Sequence, residues 1–370
     1  MNKKIFFGII ILMVILTILA AQSEDDVNYF KSLKLKAEQG DVSAQWNVGY
    51  SYETGQGVDQ DYKEAVKWYR LSAEQGYASA QYSLGLSYES GQGVIQDNKE
   101  AVKWFRLAAE QENEMAQMSL GLSYNKGQGV VQDYKEALKW FILVAEQGDV
   151  FAQWRVGYSY ESGQGVEQDY KEAAKWYRLA AEQGYELAQY NLGICYYNGQ
   201  GTIQDYEEAA IWYRLAAEQG YACAQLNLGL CYYCGQGVIQ DSKEAVKWIR
   251  LAAEQGYDKA QFKLGICYLN GLGVIQDYKE AVKWIRLAAE QGYDKAQLCL
   301  GGLYIGGQGV IQDFQEAFKW FLLASSNSSG HVFDLASKNR DDIRNELTQS
   351  QIDEAIREAK EIQKRIEEKE

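Results

Sequence analysis

The chain of 370 residues contains no proline. Turns and helix stops must be made by other residues, and its 35 glycines are the natural means. There is one histidine, His331. This excludes a histidine-based triad and any site built from several imidazoles. An excess of positive charge is also lacking. Thirty-seven Lys and Arg face fifty-one Asp and Glu, a formal charge of −14, so there is no electrostatic footprint for nucleic acid. The six cysteines form no disulfide framework. Cys195, Cys231 and Cys267 hold one recurring position, where Ser51, Ser87, Ser123 and Ser159 stand earlier, and read as small helix residues. Cys231-Tyr-Tyr-Cys234 has the spacing of a redox pair but not the strand and loop that such pairs use.

Long apolar runs are absent except at the start. Lys3 and Lys4 precede an uncharged stretch from Ile5 to Ala21, and Ala21-Gln-Ser23 has the small-x-small form of a cleavage site. Residues 1–23 are therefore expected to be a signal peptide, with the mature chain starting near Glu24. An uncleaved membrane anchor through residues 5–21 is the alternative, since that stretch barely reaches across a bilayer.

What is present is repetition. Trp68, Trp104, Trp140, Trp176, Trp212, Trp248, Trp284 and Trp320 fall 36 residues apart. Glycine pairs keep the same step, from Gly55 and Gly57 to Gly307 and Gly309. A fixed period of this size signals a solenoid, in which each unit buries its apolar face only against its neighbours.

One unit, Asp41–Gly76, reads as two helices. In helix A, near 42–54, Ala44, Val48 and Tyr52 share a face and Gly55 ends the run. Gly49 lies inside helix A and recurs through Gly301, which predicts a close approach to helix B at Ala65 and Ala73. In helix B, about 61–75, Asp61 is the N-cap, Glu64 is placed to complete a capping box, and Gly76 ends the helix. The aromatic residues Trp68, Tyr69 and Tyr52 read as core. One junction departs from the pattern, where Glu112-Asn113 replaces the usual glycine and its follower.

The run Ala188-Gln-Tyr-Asn-Leu-Gly193, then Tyr196-Tyr-Asn-Gly-Gln-Gly201, Asp205, Ala209 and Trp212-Tyr-Arg-Leu-Ala-Ala-Glu-Gln-Gly220, resembles the Sel-one-like repeat family, a relative of the tetratricopeptide solenoids. The pattern covers 41–328, eight units. The resemblance implies an all-α, right-handed α/α superhelix of helix-turn-helix repeats that binds other proteins. The family often carries proline after the second loop glycine, where this chain has isoleucine or another residue. A cysteine-rich branch of the family is associated with β-lactamase or penicillin-binding activity. That branch pairs cysteines at positions filled here by Ala73 and Gln81 and their equivalents.

Around the repeats, 24–40 is expected to be an N-terminal capping helix and 329–370 a pair of C-terminal capping helices. Ser325-Ser-Asn-Ser-Ser-Gly330 reads as a linker, followed by a helix near 331–346. Thr348 and Gln351 form a second capping-box signature before an amphipathic helix to about 368.

No enzyme signature survives inspection. Ser123-Tyr-Asn-Lys126 matches Ser-x-x-Lys but lacks companion motifs, and the repeated Gly-x-Gly lacks a third glycine and a strand. No cofactor or metal is expected, and the partner is expected to be a protein or peptide. The expected function is an exported interaction scaffold, periplasmic or secreted. A cell-envelope enzyme of the cysteine-rich branch is the runner-up. A lumenal adaptor glycosylated at Asn327 is a third reading.

The candidate site comes from comparing the units with one another. Two helix A positions change freely, and lie four apart on one stripe. The first runs Ser43, Ser79, Met115, Phe151, Leu187, Cys223, Lys259, Lys295. The second runs Asn47, Ser83, Ser119, Arg155, Asn191, Asn227, Lys263, Cys299. By resemblance the stripe lies in a groove that is apolar in its middle and basic towards Lys259, Lys263 and Lys295.

Overall fold

The structure is a computed structural model and describes residues 24–368. The expected signal segment lies outside the described residues. Among the described residues there are nineteen α-helices and no strand, and no helix is long and apolar enough to cross a membrane. After α1 (24–38), helix A of each repeat is α2 (Val42–Thr54), α4 (Ala78–Ser90), α6 (Glu114–Lys126), α8 (Val150–Ser162), α10 (Glu186–Asn198), α12 (Ala222–Cys234), α14 (Asp258–Asn270) or α16 (Asp294–Gly306). Helix B is α3 (Tyr62–Glu74), α5 (Asn98–Ala109), α7 (Tyr134–Glu146), α9 (Tyr170–Glu182), α11 (Tyr206–Glu218), α13 (Ser242–Glu254), α15 (Tyr278–Ala289) or α17 (Phe314–Asn327). Two compact units divide the chain, one ending at Asp169 and the other beginning at Tyr170. Each is an all-α stack of successive helix pairs, a solenoid architecture.

Helix A meets helix B across its interior glycine. A Cβ on Gly49 would lie 2.6 Å from Tyr69 Cδ1 and 3.1 Å from the Ala65 carbonyl. The expected close approach is present, but the partners are Ala65 and Tyr69 rather than Ala73. In other repeats Phe105, Phe141, Tyr213, Ile249, Ile285 or Phe321 fills the place of Tyr69. These residues are buried, so the cost of a helical glycine is offset by an apolar side chain seated on bare backbone. The second loop glycine joins repeats instead. A Cβ on Gly93 would sit 2.1 Å from the Tyr62 carbonyl, and Gly309 repeats the contact with Tyr278 at 2.2 Å. Trp104 and Trp248 carry the same join, each packing onto the core of the preceding repeat.

Helix B is capped in only half the expected way. Asp61 accepts from the amides of Lys63 and Glu64. Glu64 does not return the bond, because the Asp61 amide donates to the Tyr52 carbonyl at 2.9 Å and Glu64 pairs with Lys67. The same carbonyl-to-cap bond recurs from Asp97 to Asp313 and fixes the entry of helix B onto helix A. The full capping box occurs at Thr348 and Gln351, at the start of α19 (Gln349–Glu367).

At the C-terminus the expected linker is shorter, since α17 continues through Asn327. Next, α18 (His331–Ile343) is followed by one 3₁₀ turn. α19 then lays Ile352, Ala355, Ile362 and Ile366 into the cluster that holds Trp320 and Phe321. Its Glu358 also pairs with the buried Lys319 of α17 at 2.7 Å.

Candidate functional site

A network absent from the sequence reading locks most of each repeat. Helix A carries glutamine at the same place in all eight repeats, from Gln45 to Gln297. Gln45 Nε2 donates to the Ala37 carbonyl at 3.2 Å, and its Oε1 accepts from Gln75 at 2.7 Å. Gln261 does the same with Ala253 and Gln291. A buried amide thus ties one repeat to the end of the helix before it, which satisfies a carbonyl that water does not reach. The last link is missing. Asn327 stands where the partner glutamine would be, and the Oε1 of buried Gln297 has no hydrogen-bond partner. Strict recurrence of both glutamines was the signal that could have revealed the network. A second tie is cationic. Arg70 stacks over Tyr88 of the next repeat at 5.7 Å and donates to its hydroxyl at 2.6 Å.

The two variable positions behave differently. In the first unit Met115 is 59% exposed and Phe151 is half-buried. In the second unit Leu187 is half-buried, while Lys259 and Lys295 are exposed. The backbone amides of those two lysines donate to Asp258 and Asp294. This first position faces outward in both units.

The second position is tied to the repeat before it. Trp46 Nε1 donates to Ser83 Oγ at 3.0 Å. Ser119 lies near the Tyr82 hydroxyl and Asn227 near that of Tyr190, and each favours the ionised phenol slightly against the effect of burial. Where the preceding helix A offers no such group, the residue changes character. Arg155 follows Met118, Lys263 follows Leu226 and Cys299 follows Phe262 in this register. Variation at this position is therefore partly a record of packing, a constraint the sequence comparison missed.

The missed partners are aromatic. Trp46, Tyr82, Trp154, Tyr190 and Phe262 share one helix A position. Trp46 packs edge-on to Tyr77 at 6.1 Å, Tyr190 to Tyr221 at 5.1 Å and Phe262 to Tyr293 at 5.3 Å. Burial raises the Tyr190 hydroxyl above its ordinary pKa, so it stays a neutral hydrogen-bonding group. Asn227, with Ile194, Tyr197, Asn198, Tyr213 and Leu230, lines a cavity of about 320 Å³ in the second unit. Asn191 lies on α10 in the same unit.

Arg155 is placed unusually. Its guanidinium lies 5.1 Å from the ring of Phe141 and 5.9 Å from those of Trp154 and Tyr158. Lys263 stacks over Tyr233 at 4.7 Å. Arg155 Nε is buried without a hydrogen-bond partner. Burial pulls its pKa below the ordinary guanidinium value, with Tyr158 acting weakly in the opposite direction.

Residues that hint at chemistry are otherwise engaged. Ser123 is buried and donates its hydroxyl to the Ser119 carbonyl at 2.8 Å, so it is not presented as a nucleophile. Burial, with Cys234 nearby, pushes the Cys231 thiol up to about 11, the reverse of what a redox thiolate needs. Among the described residues no three His, Cys, Asp or Glu side chains are grouped to hold a metal.

The model of the Sel1 repeat matches residues 42–77, 78–113, 114–149, 150–185, 187–221, 224–257, 258–293 and 294–329. Among solved structures, a Sel1 repeat protein from Oxalobacter formigenes is 34% identical, with a TM-score of 0.70 over 84% of this chain and 90% of that one. The protective antigen c5321 of uropathogenic Escherichia coli, which displays an SLR fold, is 32% identical over 90% of this chain and 94% of its own, with a TM-score of 0.45. Helicobacter pylori cysteine rich protein B is 26% identical over 35% of this chain and 92% of its own, with a TM-score of 0.29. No curated protein matches the chain. Eight consecutive matches to one repeat model place this chain in the Sel1 repeat family, whose members are generally protein-interaction scaffolds.

Proposed function

We propose that the protein is a non-enzymatic scaffold of an exported compartment and binds a segment of a partner protein along the helix A faces. One observation carries this reading. The outward helix A position of Met115, Phe151, Leu187, Lys259 and Lys295 escapes a repeat that is otherwise locked by glycine contacts, glutamine links and aspartate caps. Core positions must recur because their neighbours recur, whereas a binding face need not. Arg155 and Lys263 join this face, with Asn191 and Asn227 at its polar positions. Partner residues that meet the first unit's stripe are apolar, and those that meet the second unit's lysines are acidic. Export rests on Lys3, Lys4 and the uncharged stretch from Ile5 to Ala21.

The test is a pull-down from the source organism with the mature chain, with a Lys259→Glu, Lys263→Glu, Lys295→Glu chain and with Phe151→Ala. Retained melting temperature with weakened partner recovery supports the proposal. Undiminished recovery by both variants refutes it. N-terminal sequencing of exported protein should begin at or near Glu24, and a chain still beginning at Met1 would show an anchor instead.

A further inference from the structure

We infer that Arg155 is the seat for a single carboxylate of the partner, presented beside a bulky apolar side chain; this deepens the helix A reading above and rests on it. Three observations lead there. First, Arg155 is a cation without a counter-anion. Among the described residues no ion pair engages it, and its Nε is buried with no acceptor. Second, the cation is held in place. Phe141 is buried beneath it, and Trp154 and Tyr158 stack on each other at 6.0 Å beside it. Phe151 packs against Trp154 at 5.8 Å and extends the aromatic wall. A guanidinium fixed on rings loses little entropy on binding and presents a planar fork that fits a carboxylate. Third, the register gives it no polar partner on the preceding helix A. Ser83 at this position accepts from Trp46 of the preceding helix A, and Ser119 lies near the Tyr82 hydroxyl, but Met118 offers Arg155 nothing to bond.

The rest of the molecule narrows the ligand. Away from the lysines of the second unit, a chain of formal charge −14 repels an acidic tract. An isolated carboxylate flanked by apolar side chains avoids most of that repulsion. It also suits the surroundings, since Met115 and Phe151 are the neighbouring outward residues. An acidic side chain and a chain-terminal carboxylate share this chemistry.

The probe is a phage-displayed random dodecapeptide library panned on the immobilised full-length mature chain. Enriched peptides are then synthesised with free and amidated C-termini and titrated by fluorescence anisotropy. The expected binders carry one Asp or Glu, or the free C-terminus, next to an aliphatic or aromatic residue. Changing that Glu to Gln, or amidating that terminus, should weaken binding to the native chain about tenfold or more. The same peptide change should have almost no effect with Arg155→Met, and a reduced one with Arg155→Lys, both checked for native melting. Binders without a carboxylate overturn the inference, as does an equal loss in native and Arg155→Met chains. Binding that depends on Phe151 but not on Arg155 removes the carboxylate seat alone. Indifference to both, or no enrichment over bare support, counts against the helix A face as well.

Discussion

A valine at position 193 has no room. The Cβ alone would lie 2.6 Å from Tyr213 Cδ1, and Tyr213 is buried. Overpacking of this kind costs about 1–3 kcal/mol, and a β-branched residue stands at the upper end. Gly193→Val should therefore lower the melting temperature by several degrees, whereas Glu167→Gln in an exposed loop should leave it unchanged. Equal melting of the two would contradict the glycine contact. The opposite change applies at Glu112, a non-glycine residue with φ of 62° at the junction where the other repeats carry glycine. Glu112→Gly should stabilise by about 1 kcal/mol, because left-handed backbone is strained for residues with a side chain. Denaturant melts would show it as a higher midpoint with an unchanged slope. Both effects were legible in the sequence, as a glycine that recurs inside a helix and one that is missing. The identity of the contacting side chain was not. Ala73 and Tyr69 are both on helix B, and only the helix crossing selects Tyr69.

Each helix pair is held at its loop by an aspartate that caps helix B while its own amide is taken by helix A. Hydrogen bonds from backbone amides hold the Asp241 carboxyl below its ordinary range. Its folded pKa is thus below the unfolded one, so the cap stabilises at neutral pH and the contribution disappears as pH falls below about 4. Asp241→Asn should lower stability at neutral and alkaline pH, have little effect below about pH 4, and so flatten the acid limb of the stability profile. An unchanged acid limb would show that the cap charge is irrelevant. The sequence exposed the cap but suggested a reciprocal box. The Tyr52 carbonyl, nine residues before the cap, could not be read from spacing. In the same loops Ile95, Val131, Ile203, Ile239, Ile275 and Ile311 are between 88% and 91% exposed, at the place where the family resemblance implies proline. Their side chains contribute nothing to the core. Ile239→Pro should gain about 0.4–1 kcal/mol by restricting the unfolded chain. A loss would mean that the loop backbone there is incompatible with proline.

For the molecule as a whole, helices pack chiefly with those next in sequence. Stability is then close to a sum over repeats and their junctions. Deleting residues 222–257, one repeat inside the second unit, should preserve helicity per residue by circular dichroism and lower the melting temperature modestly. Collapse of the helical signal would refute nearest-neighbour stacking. The 36-residue period made this architecture plain from the sequence. The binding face was only half legible. Free variation identified both positions, yet at the second Ser83 is tied to Trp46 of the preceding repeat. That pairing spans 37 residues and emerges only when the helices are stacked.

The most direct test of the central claim is site-specific photo-crosslinking in the source organism. The photoreactive residue replaces Phe151 on helix A or, in a separate chain, the exposed Leu143 on helix B. The account predicts a discrete crosslinked protein from position 151 and none from position 143. Crosslinks from position 143 alone would place the partner on helix B and contradict it.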